Sequence, residues 1–585
     1  MPLGGKSIAV MGGLKLFGCP QEIPFALLQE EASMGMGSLT LDRDVEGFWA
    51  VGDEVVIAPT SFDGREREIR TISGVSGNFV TLSSPLNYTH HGIDETTGIY
   101  GHFGAEVSHL SRNIKVNGIA DSEDLFGGRI VVVKSDDGSS YRRGWAQIDN
   151  VELTHMGQFG HNKALDYRAP IAFYHLGLQD PLDDQRSFVS GSSIHDSYNG
   201  GIVVGDGADG IPITDNVFAN NVESCIVVFG DSAVITGNII TFVEYRLLYQ
   251  NLYLSELLGN AEPENVYLPA GVDTMGTYSV TVENNRVSGV DGPAFRGHGK
   301  ACSSRDLCQT SSTTGPRATI SNIGHSSMRG YSIVKKFSRP CVEYSGFFFW
   351  RMGDYGIYTQ AKKSEIHIHS NIFVDNIISI CNIIVTMNEV TAHEHGEMMA
   401  SIDNNLFVGQ SDKFTCEDFD KRESTLIVSS GMTHMNRAPY NPARGMTSIY
   451  LPFFSVGPTK FPKRPMHDHR EATYNALNGR SCASGNQFVN FDVPNGSSCA
   501  GRYPIAVSSN EGTIDHTHTV EISNTEVTNS RRRNLLFLHR PRLGDITLAN
   551  CIDMSCDGPK KVMLKDLDGT LTGTGSETSI FGQSE

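Results

Sequence analysis

A repeat of slightly more than twenty residues in the middle of the chain constrains the fold more than any other sequence feature. Three segments align under one another: FVSGSSIHDSYNGGIVVGDG, PITDNVFANNVESCIVVFGD and VITGNIITF. Ser193 aligns with Asn216 at an offset of 23 residues, and Asn216 aligns with Asn238 at an offset of 22. Each unit carries a short β-branched run, a polar turn with Asn and a second apolar run. Related pieces follow as VTVENNRVSG, IHIHSNIFVDN and SIDNNLFVGQ. A period this short, with two or three short strands per unit, predicts stacked coils.

Stacked coils of this kind predict an all-β fold, a right-handed parallel β-helix over roughly residues 120–409. A single coil cannot bury its inward side chains, whereas stacked coils share a continuous apolar column and pair their backbones. We expect this column to contain Val203, Ile213, Val227 and Ile235. Asn tolerates left-handed backbone and bonds local amides, so it suits a repeated turn. The candidates for that turn position are Asn238, Asn285, Asn371 and Asn405.

The regions on either side of the repeat differ from it and divide the chain into three predicted parts. Residues 1–118 alternate apolar and polar side chains at strand spacing, and Gly77-Asn78 marks a hairpin turn. We therefore predict a partial β domain over 1–118, the β-helix over 119–410, and a loop-rich β region over 411–585 that continues or caps the helix. Segments of helical composition are scarce, and the best helix candidate is FALLQEEAS near the N-terminus.

Charge and hydropathy limit the expected partners. The chain has 47 Lys+Arg against 66 Asp+Glu, a formal net charge of −19, so we expect no nucleic acid partner. No run reaches the ~18 apolar residues of a membrane span. The start, MPLGGKSIAVMGG, is typical of a strand rather than of a signal peptide. We expect an internal piece of a larger secreted or membrane-anchored protein.

Cysteines and glycosylation motifs favour an extracellular setting. The 11 cysteines are spread along the chain, and three pairs flank short loops: Cys302/Cys308, Cys482/Cys499 and Cys551/Cys556. Loop-closing pairs suit an oxidising compartment, but the sequence leaves their connectivity open. Asn87-Tyr-Thr89 and Asn495-Gly-Ser497 are N-glycosylation motifs and are compatible with secretion.

The string VMLKDLDGTLTG near the C-terminus copies the phosphoryl-transfer motif of haloacid-dehalogenase-like phosphatases, with Asp566 as nucleophile and Asp568 as general acid. Only 17 residues follow Asp568, too few for the parallel strands and crossover helices of such an enzyme. The string instead predicts a strand, an Asp-Gly turn and a second strand. We expect no cofactor, with calcium kept as the alternative. Pro559 and Leu564 stand at positions that weaken a calcium loop; its aspartates would be Asp553, Asp557, Asp566 and Asp568.

An ordered series of segments resembles a known family. WAVGDEVVIAPTSFDGREREIRTI, LSSPLNYTHHG, GAEVSHLSRNIKVNG and FGGRIVVV resemble the second half of the eight-glycine domain. VELTHMGQFG and SFVSGSSIHDSYNGGIVV are similar to the β-helix repeats that follow that domain, and CIDMSCDGPKKVMLKDLDGTLTG looks most like the fibrocystin branch. The chain thus resembles fibrocystin and fibrocystin-L. More distantly it resembles the cell-surface hyaluronidases related to the cell-migration-inducing hyaluronan-binding protein.

The resemblance implies an extracellular or cell-surface ectodomain fragment with a structural, adhesive or ligand-binding role, whose ligand is a glycan or a protein. The alternative is an enzyme that binds or hydrolyses hyaluronan or another glycosaminoglycan. Polysaccharide cleavage needs two carboxylates, or a carboxylate with His and Arg, along a groove. The candidates near the boundary between the first domain and the helix are His91, Arg112, Asp121 and Asp124.

A structural role for these four residues is the favoured interpretation. Arg112 is expected to pair with an acid and fix the junction, and His91 to belong to a turn. Ala172 and Tyr174 stand where the hyaluronidase branch tends to have His, which argues against an enzyme.

Four His-x-His pairs are candidate metal ligands, because alternate residues of a strand face the same side. The pairs are His367/His369, His393/His395, His467/His469 and His516/His518. Each could chelate Zn²⁺ or Cu²⁺, although the sequence identifies no third ligand and structural or solvated His remains the favoured interpretation. The preferred metal candidate is HEHGE, which contributes His393, His395 and Glu397.

Overall fold

The computed structural model describes residues 5–93, 103–119, 125–136, 141–159, 168–245, 268–303, 307–334, 340–361, 365–387, 399–415, 446–453, 474–476, 480–492, 502–509, 520–530, 535–539, 560–573, 575–576 and 578–584. Within these ranges the regular elements are β-strands, apart from one short 3-10 helix at Gly64–Glu66. The all-β prediction is confirmed.

The predicted N-terminal helix is wrong. Phe25–Leu27, the start of FALLQEEAS, is a strand. Ala26, Leu27 and Leu28 are all buried. Successive residues of this segment are therefore apolar because the segment lies in the core of a β structure. Tertiary burial overrides the helical propensity of its Ala, Leu and Glu residues.

The described chain forms two compact units. The first comprises the described residues among 1–246, 268–297 and 322–327, and the second comprises those among 298–321 and 328–585.

The first unit contains an antiparallel β-barrel. In sheet order its strands are Phe25–Leu27, Glu106–His109, Glu54–Ile57, Glu68–Ser76, Phe79–Leu82 and Ser38–Thr40. A bridge between Leu28 and Leu41 joins the two outer strands. The core of the barrel contains the fully buried side chains of Val55, Ile57 and Val107.

The rest of the first unit is a parallel β-helix with three sheets, as predicted. The first sheet contains Ser7–Val10, Arg129–Asp136, Ile171–Tyr174, Ile202–Val204, Ile226–Val228, Val272–Asp273 and Pro293–Arg296. The second contains Gly13–Phe17, Trp145–Asp149, Phe188–Ser190, Pro212–Thr214, Ala233–Thr236 and Val280–Glu283. The third contains Ile114–Asn117, Val151–Thr154, Ser193–His195, Val217–Val222, Ile239–Glu244, Arg286–Val290 and Asn322–His325. Tyr141–Arg143 pairs antiparallel with Arg129–Asp136, and Gly177–Leu178 pairs with Ala208–Asp209.

The barrel is inserted into the first coil of this helix. Ser7–Val10 and Gly13–Phe17 pair in parallel with Arg129–Asp136 and Trp145–Asp149. Ile114–Asn117 pairs in parallel with Val151–Thr154. The first coil therefore supplies two strands before the barrel and one after it, although the sequence analysis grouped all of residues 1–118 in the N-terminal domain.

Side chains stack in register along the helix. Ile213 lies opposite Ile235, and Val203 lies opposite Val227. All four are buried, but they do not share one column. Val203 and Val227 belong to a cluster with Val131, Ala169, Ala172 and Tyr174. Adjacent residues of a strand face opposite sides, so Val203 faces away from its neighbours Ile202 and Val204, which are also buried.

A ladder of buried asparagines runs along the turn after the second sheet. The backbone N–H and the side-chain Nδ2 of Asn216 both donate to Oδ1 of Asn238, at 3.1 and 3.0 Å. Asn238 donates in the same way to Asn285, at 3.1 and 3.0 Å, and Asn285 donates to Asn322, at 3.1 and 3.1 Å. Ser192 occupies the equivalent position of the ladder in the preceding coil, because its N–H donates to Asn216 Oδ1 at 3.0 Å. The predicted alignment of Ser193 with Asn216 is therefore off by one residue.

At most of these turns the left-handed residue is the one before the ladder asparagine. Gly237, Asn284, Ser370 and Asn404 have positive φ angles of 70°, 57°, 55° and 52°. The predicted left-handed backbone therefore belongs to these residues. It places the following Asn side chain inside the coil.

The second unit also consists of parallel ladders. One sheet contains Arg329–Val334, Tyr355–Ala361, Ile378–Met387, Met446–Phe453, Arg502–Ser509 and Leu536–His539, with Tyr474–Ala476 antiparallel to Ile378–Met387. A second contains Phe347–Trp350, Ile372–Val374, Leu406–Val408, Gln487–Val489 and Glu526–Thr528. A third, called here the histidine sheet, contains Lys300–Ala301, Cys341–Ser345, Glu365–His369, Met399–Asp403, Arg480–Ser484, Val520–Ser523, Lys560–Asp566 and Thr578–Ser584. Its first and last strands are antiparallel to their neighbours.

Two buried stacks follow the coils of the second unit. Asn371 donates to Oδ1 of Asn405, which donates to Oδ1 of Asn486, at 3.0–3.1 Å. A stack of phenylalanine rings consists of Phe349, Phe373, Phe407 and Phe488, with successive centroids 6.2, 5.1 and 5.1 Å apart. Aromatic rings thus take the place that β-branched side chains were expected to fill.

Two disulfides join distant segments of the second unit. Cys302 bonds Cys341, and Cys308 bonds Cys482. The loop-closing pairings of Cys302 with Cys308 and of Cys482 with Cys499 are therefore wrong. The bonds fix the loop that follows Lys300–Ala301 to two strands of the histidine sheet.

The DLDG string forms a turn, as predicted. Asp566 is buried at the end of Lys560–Asp566 and accepts from the Thr572 N–H at 2.8 Å. Asp568 accepts from the Asn524 and Thr570 N–H groups at 2.7 and 3.1 Å. Both carboxylates thus hold backbone donors. Asp553 and Asp557 lie outside the described residues. The expectation of no cofactor, with calcium as the alternative, therefore stays a prediction.

We predict that Asn285→Ala lowers the free energy of unfolding by at least about 2 kcal/mol, because several buried groups lose their partners and each unsatisfied group costs roughly 1–3 kcal/mol. The measurement is the urea midpoint of the unfolding transition. Thr281→Ala, at an exposed position of the adjacent strand, is the matched control and should shift stability by no more than about 0.5 kcal/mol. Equal effects of the two changes would contradict a stabilising ladder.

Candidate functional site

Arg112, a candidate catalytic residue, lies in the segment that leads from the barrel back to the β-helix. Its side chain is buried, and its Nε donates to the Gly191 carbonyl at 2.9 Å. Its Nη1 donates to the carbonyls of His109 and Ser111 at 3.1 and 2.9 Å. Burial, opposed by Glu152 and Asp53, lowers the pKa of Arg112 to about 10. The guanidinium therefore holds backbone of the barrel and of the helix together.

Glu152 is the acid beside Arg112. Its Oε2 accepts from the Arg112 backbone N–H at 2.8 Å, and its Oε1 accepts from Lys115 Nζ at 2.9 Å. The ring of His195 lies between Glu152 and Asp196. Its Nε2 is 3.7 Å from Glu152 Oε1, and its Nδ1 is 2.8 Å from Asp196 Oδ2. The expected contact of Arg112 with an acid is thus made by its main-chain N–H, whereas its guanidinium binds carbonyl groups. The members of this cluster are held by mutual contacts.

His195 is charged in this setting. Burial lowers its pKa, but the hydrogen bond to Asp196 and the nearby carboxylate of Glu152 outweigh burial and raise the pKa to about 9. A protonated His195 joins the third sheet of the helix to the carboxylates around it. No sequence signal points to His195, because nothing in IHDSYN distinguishes it from a turn residue.

His91 lies at the surface end of the barrel. Its ring Nδ1 is 3.2 Å from Glu31 Oε2, and its N–H donates to Thr60 Oγ1 at 3.1 Å. The other two candidates, Asp121 and Asp124, lie outside the described residues. The catalytic alternative for these four residues is therefore untested, and their favoured structural role stays a prediction.

A second buried charge cluster joins the barrel to the helix within the first unit. Glu106, on a barrel strand, lies 2.8 Å from His325 Nε2 and 2.9 Å from Arg286 Nη1. Burial would raise the pKa of Glu106, but His325 and Arg286 outweigh burial and lower the pKa to about 2. The barrel is thereby attached through an ionised, fully desolvated carboxylate.

The histidine sheet brings three metal-ligand side chains together in the second unit. Glu343 lies opposite His367 in the parallel register, and His369 lies two residues further along the same strand. One ligand atom from each of Glu343, His367 and His369 lies within 4.8 Å of the others. The imidazole rings of His367 and His369 are 4.1 Å apart.

Neighbouring side chains orient this cluster. His367 Nε2 is 3.1 Å from Asp403 Oδ2, and His369 Nδ1 is 3.3 Å from Ser370 Oγ. Ser303 donates its N–H and its hydroxyl to Glu343 Oε2 at 2.8 and 2.9 Å. The nearby His369 ring, together with the two donors of Ser303 and against the effect of burial, lowers the pKa of Glu343 to about 2. The carboxyl group is therefore anionic at neutral pH.

The predicted His-x-His pairs have different outcomes. His367 and His369 lie side by side, and Glu343 supplies the third group that sequence analysis could not find. The signal for Glu343 is its position one coil, or 24 residues, before His367. The preferred candidate set of His393, His395 and Glu397 lies outside the described residues. The remaining two pairs, His467/His469 and His516/His518, lie outside them as well.

Comparison with known proteins agrees with this architecture. Residues 125–291 match the family model described as CEMIP beta-helix. The chain is 31% identical over 593 residues to mouse fibrocystin-L, an alignment that covers 100% of this chain and 13% of that protein. It is 24% identical over 596 residues to mouse fibrocystin, covering 99% of this chain and 13% of that protein. Human cell surface hyaluronidase CEMIP2 is 29% identical over 204 residues, covering 32% of this chain and 14% of that protein.

The coils and the inserted barrel define a parallel β-helix protein that carries an antiparallel β-barrel in its first coil. The similarity to fibrocystin-L and fibrocystin extends along the whole chain, which therefore resembles one segment of those proteins. It spans 13% of the length of those relatives. Among the described residues, no helix has the length and apolar character needed to cross a membrane.

We predict that protonated His195 contributes stability that disappears in alkali. Because the pKa of His195 is higher in the folded than in the unfolded state, its contribution to stability is complete below the unfolded-state pKa of 6.5. This contribution is lost as the pH rises through about 9. The urea midpoint should therefore fall between pH 6.5 and 10, and His195→Gln should flatten that fall. An unchanged slope in the variant would show that other groups cause it.

We predict that Glu106→Gln destabilises the first unit by about 3–5 kcal/mol, because Arg286 and His325 lose their buried counter-charge. The depressed pKa means that the wild-type contribution is present above 4.5 and is lost as the pH falls towards 2. Urea unfolding at pH 7 and pH 3 measures both effects. Glu22→Gln, at an exposed position, is the control, and similar losses for both variants would contradict the prediction.

Proposed function

We propose that this chain is an extracellular segment of a fibrocystin-like cell-surface protein, with a structural and adhesive role in which the β-helix presents a surface to a glycan or protein ligand. The observation that supports this proposal is the use of its charged residues at the barrel–helix contact. Arg112, Glu152 and Glu106 bind backbone groups or one another in buried positions. Such an arrangement stiffens a scaffold.

Three features support an extracellular location. The second unit has two disulfides, and such bonds persist in oxidising compartments. Asn87, in the motif Asn87-Tyr-Thr89, is exposed on the barrel and is available for glycosylation. The relatives over the whole chain are fibrocystin and fibrocystin-L, to whose larger, membrane-anchored architecture we assign this segment.

A hyaluronan-directed activity is the second candidate, because one relative over about a third of the chain is a cell surface hyaluronidase. Glycoside hydrolysis by the usual route needs one carboxyl group as acid and another as base or nucleophile, both able to reach the sugar. Glu152 is buried and already accepts three neighbours' contacts, so it is a poor acid. Glycan binding without cleavage is the form of this candidate that fits the geometry better.

We predict that the purified chain does not shorten hyaluronan. The measurement is the size of high-molecular-weight hyaluronan after incubation, by gel electrophoresis, with a known hyaluronidase as the positive control. Retention on immobilised hyaluronan without shortening would identify a binder. Shortening that disappears in Asp121→Asn, or in Arg112→Lys that remains folded, would establish the enzyme instead and overturn the proposal.

A further inference from the structure

We propose that Glu343, His367 and His369 form a binding site for a divalent transition-metal ion, and that Zn²⁺ is the ion whose ligand preferences they match. The site lies on the histidine sheet, within the second unit. It is independent of the role proposed above.

The coil geometry supplies the three ligands on neighbouring strands. His367 and His369 alternate on one strand, so their side chains face the same side of the sheet. Glu343 is the register partner of His367 on the adjacent strand, and its Oε2 is 3.8 Å from His369 Nε2. Ligand atoms around tetrahedral zinc are about 3.3 Å apart for bond lengths near 2.0–2.2 Å. Small side-chain rotations would bring the three groups to that spacing.

Hydrogen bonds leave one nitrogen of each imidazole available. The Nε2 of His367 is bound to Asp403, which leaves Nδ1 as the lone-pair nitrogen. The Nδ1 of His369 is next to Ser370 Oγ, which leaves Nε2. These two nitrogens, His367 Nδ1 and His369 Nε2, are buried and have no hydrogen-bond partner. A buried polar atom without a partner is costly, and a metal ion would satisfy both.

The surrounding residues have the character of an outer ligand shell. Metal-bound histidines usually donate their second nitrogen to a carboxylate or similar acceptor, which fixes the ring and raises its basicity. Asp403 has this relation to His367. Ser303 fixes the Glu343 carboxylate, and the disulfide of Cys302 with Cys341 holds Ser303 against that strand. The loop is thus tied in place beside the three ligands.

The donor set distinguishes between ions. Two imidazoles and one carboxylate suit zinc, whereas calcium and magnesium prefer oxygen donors alone. Cys308 and Cys482, close to Ser401 in the same sheet, are disulfide-bonded and supply no thiolate. The three side chains are 11–20% exposed, so an ion can enter from solvent and retain a water as a further ligand.

The test is zinc titration of the full chain after treatment with EDTA, in competition with a chromogenic zinc chelator. We expect one zinc ion to be bound with an affinity that falls at least 100-fold in Glu343→Gln and in His367→Ala/His369→Ala. Circular dichroism and thermal unfolding without metal establish that each variant is folded. Glu343→Gln keeps an oxygen for the Ser303 hydrogen bonds, so it separates ligation from folding.

The matched control is His393→Ala/His395→Ala, which removes the other candidate pair and should leave this affinity unchanged. Asp403→Asn should weaken zinc binding by about 10–100-fold, as expected for a residue that orients a ligand. Calcium should not compete at equal concentration. Unaltered zinc affinity in the folded Glu343→Gln variant, or loss of binding in the control alone, would overturn the proposal.

Discussion

The coils depend on the hydrogen bonds made by the side-chain amides of buried asparagines. At each turn after a left-handed residue the chain enters the interior with its N–H groups still unpaired, and a buried donor without a partner is costly. In the first unit, Asn238 Oδ1 accepts hydrogen bonds from the backbone N–H and the Nδ2 of Asn216. The Nδ2 of Asn238 in turn donates to Asn285 Oδ1. One residue type thus satisfies donors and acceptors in successive coils. The apolar side chains can then be buried without leaving turn amides unsatisfied.

Much of this fold follows from the sequence because the coil repeats. The spacing of Asn216 and Asn238 predicts stacked strands, and the structure places each directly against the other. The period is not constant, however: Asn285 follows Asn238 by 47 residues and Asn486 follows Asn405 by 81. Insertions between strands hide the later coils from any search at fixed spacing. The alternation of inward-facing and outward-facing residues is also hidden in the sequence where both faces of a strand are buried, as at Ile202 and Val203.

The sites show the same limit of sequence reasoning. His367 and His369 were recognisable as a pair, because strand alternation is local. Glu343 was not, because only the register between coils makes it their neighbour. Cys308 and Cys482 were missed as a disulfide pair for the same reason, since 174 residues separate them. Arg112 was recognised as a junction residue, but the carbonyl of Gly191 that it binds belongs to a coil much further along the chain.

The insertion of the barrel into the first coil has a mechanical consequence. Gly13–Phe17 before the barrel and Ile114–Asn117 after it are each paired with the next coil. Tension that reaches the molecule from the N-terminal side must therefore shear these strands before it can stretch the barrel. The barrel lies outside the path of force while the first coil is intact. Under tension this part of the chain would extend only after its first coil had detached.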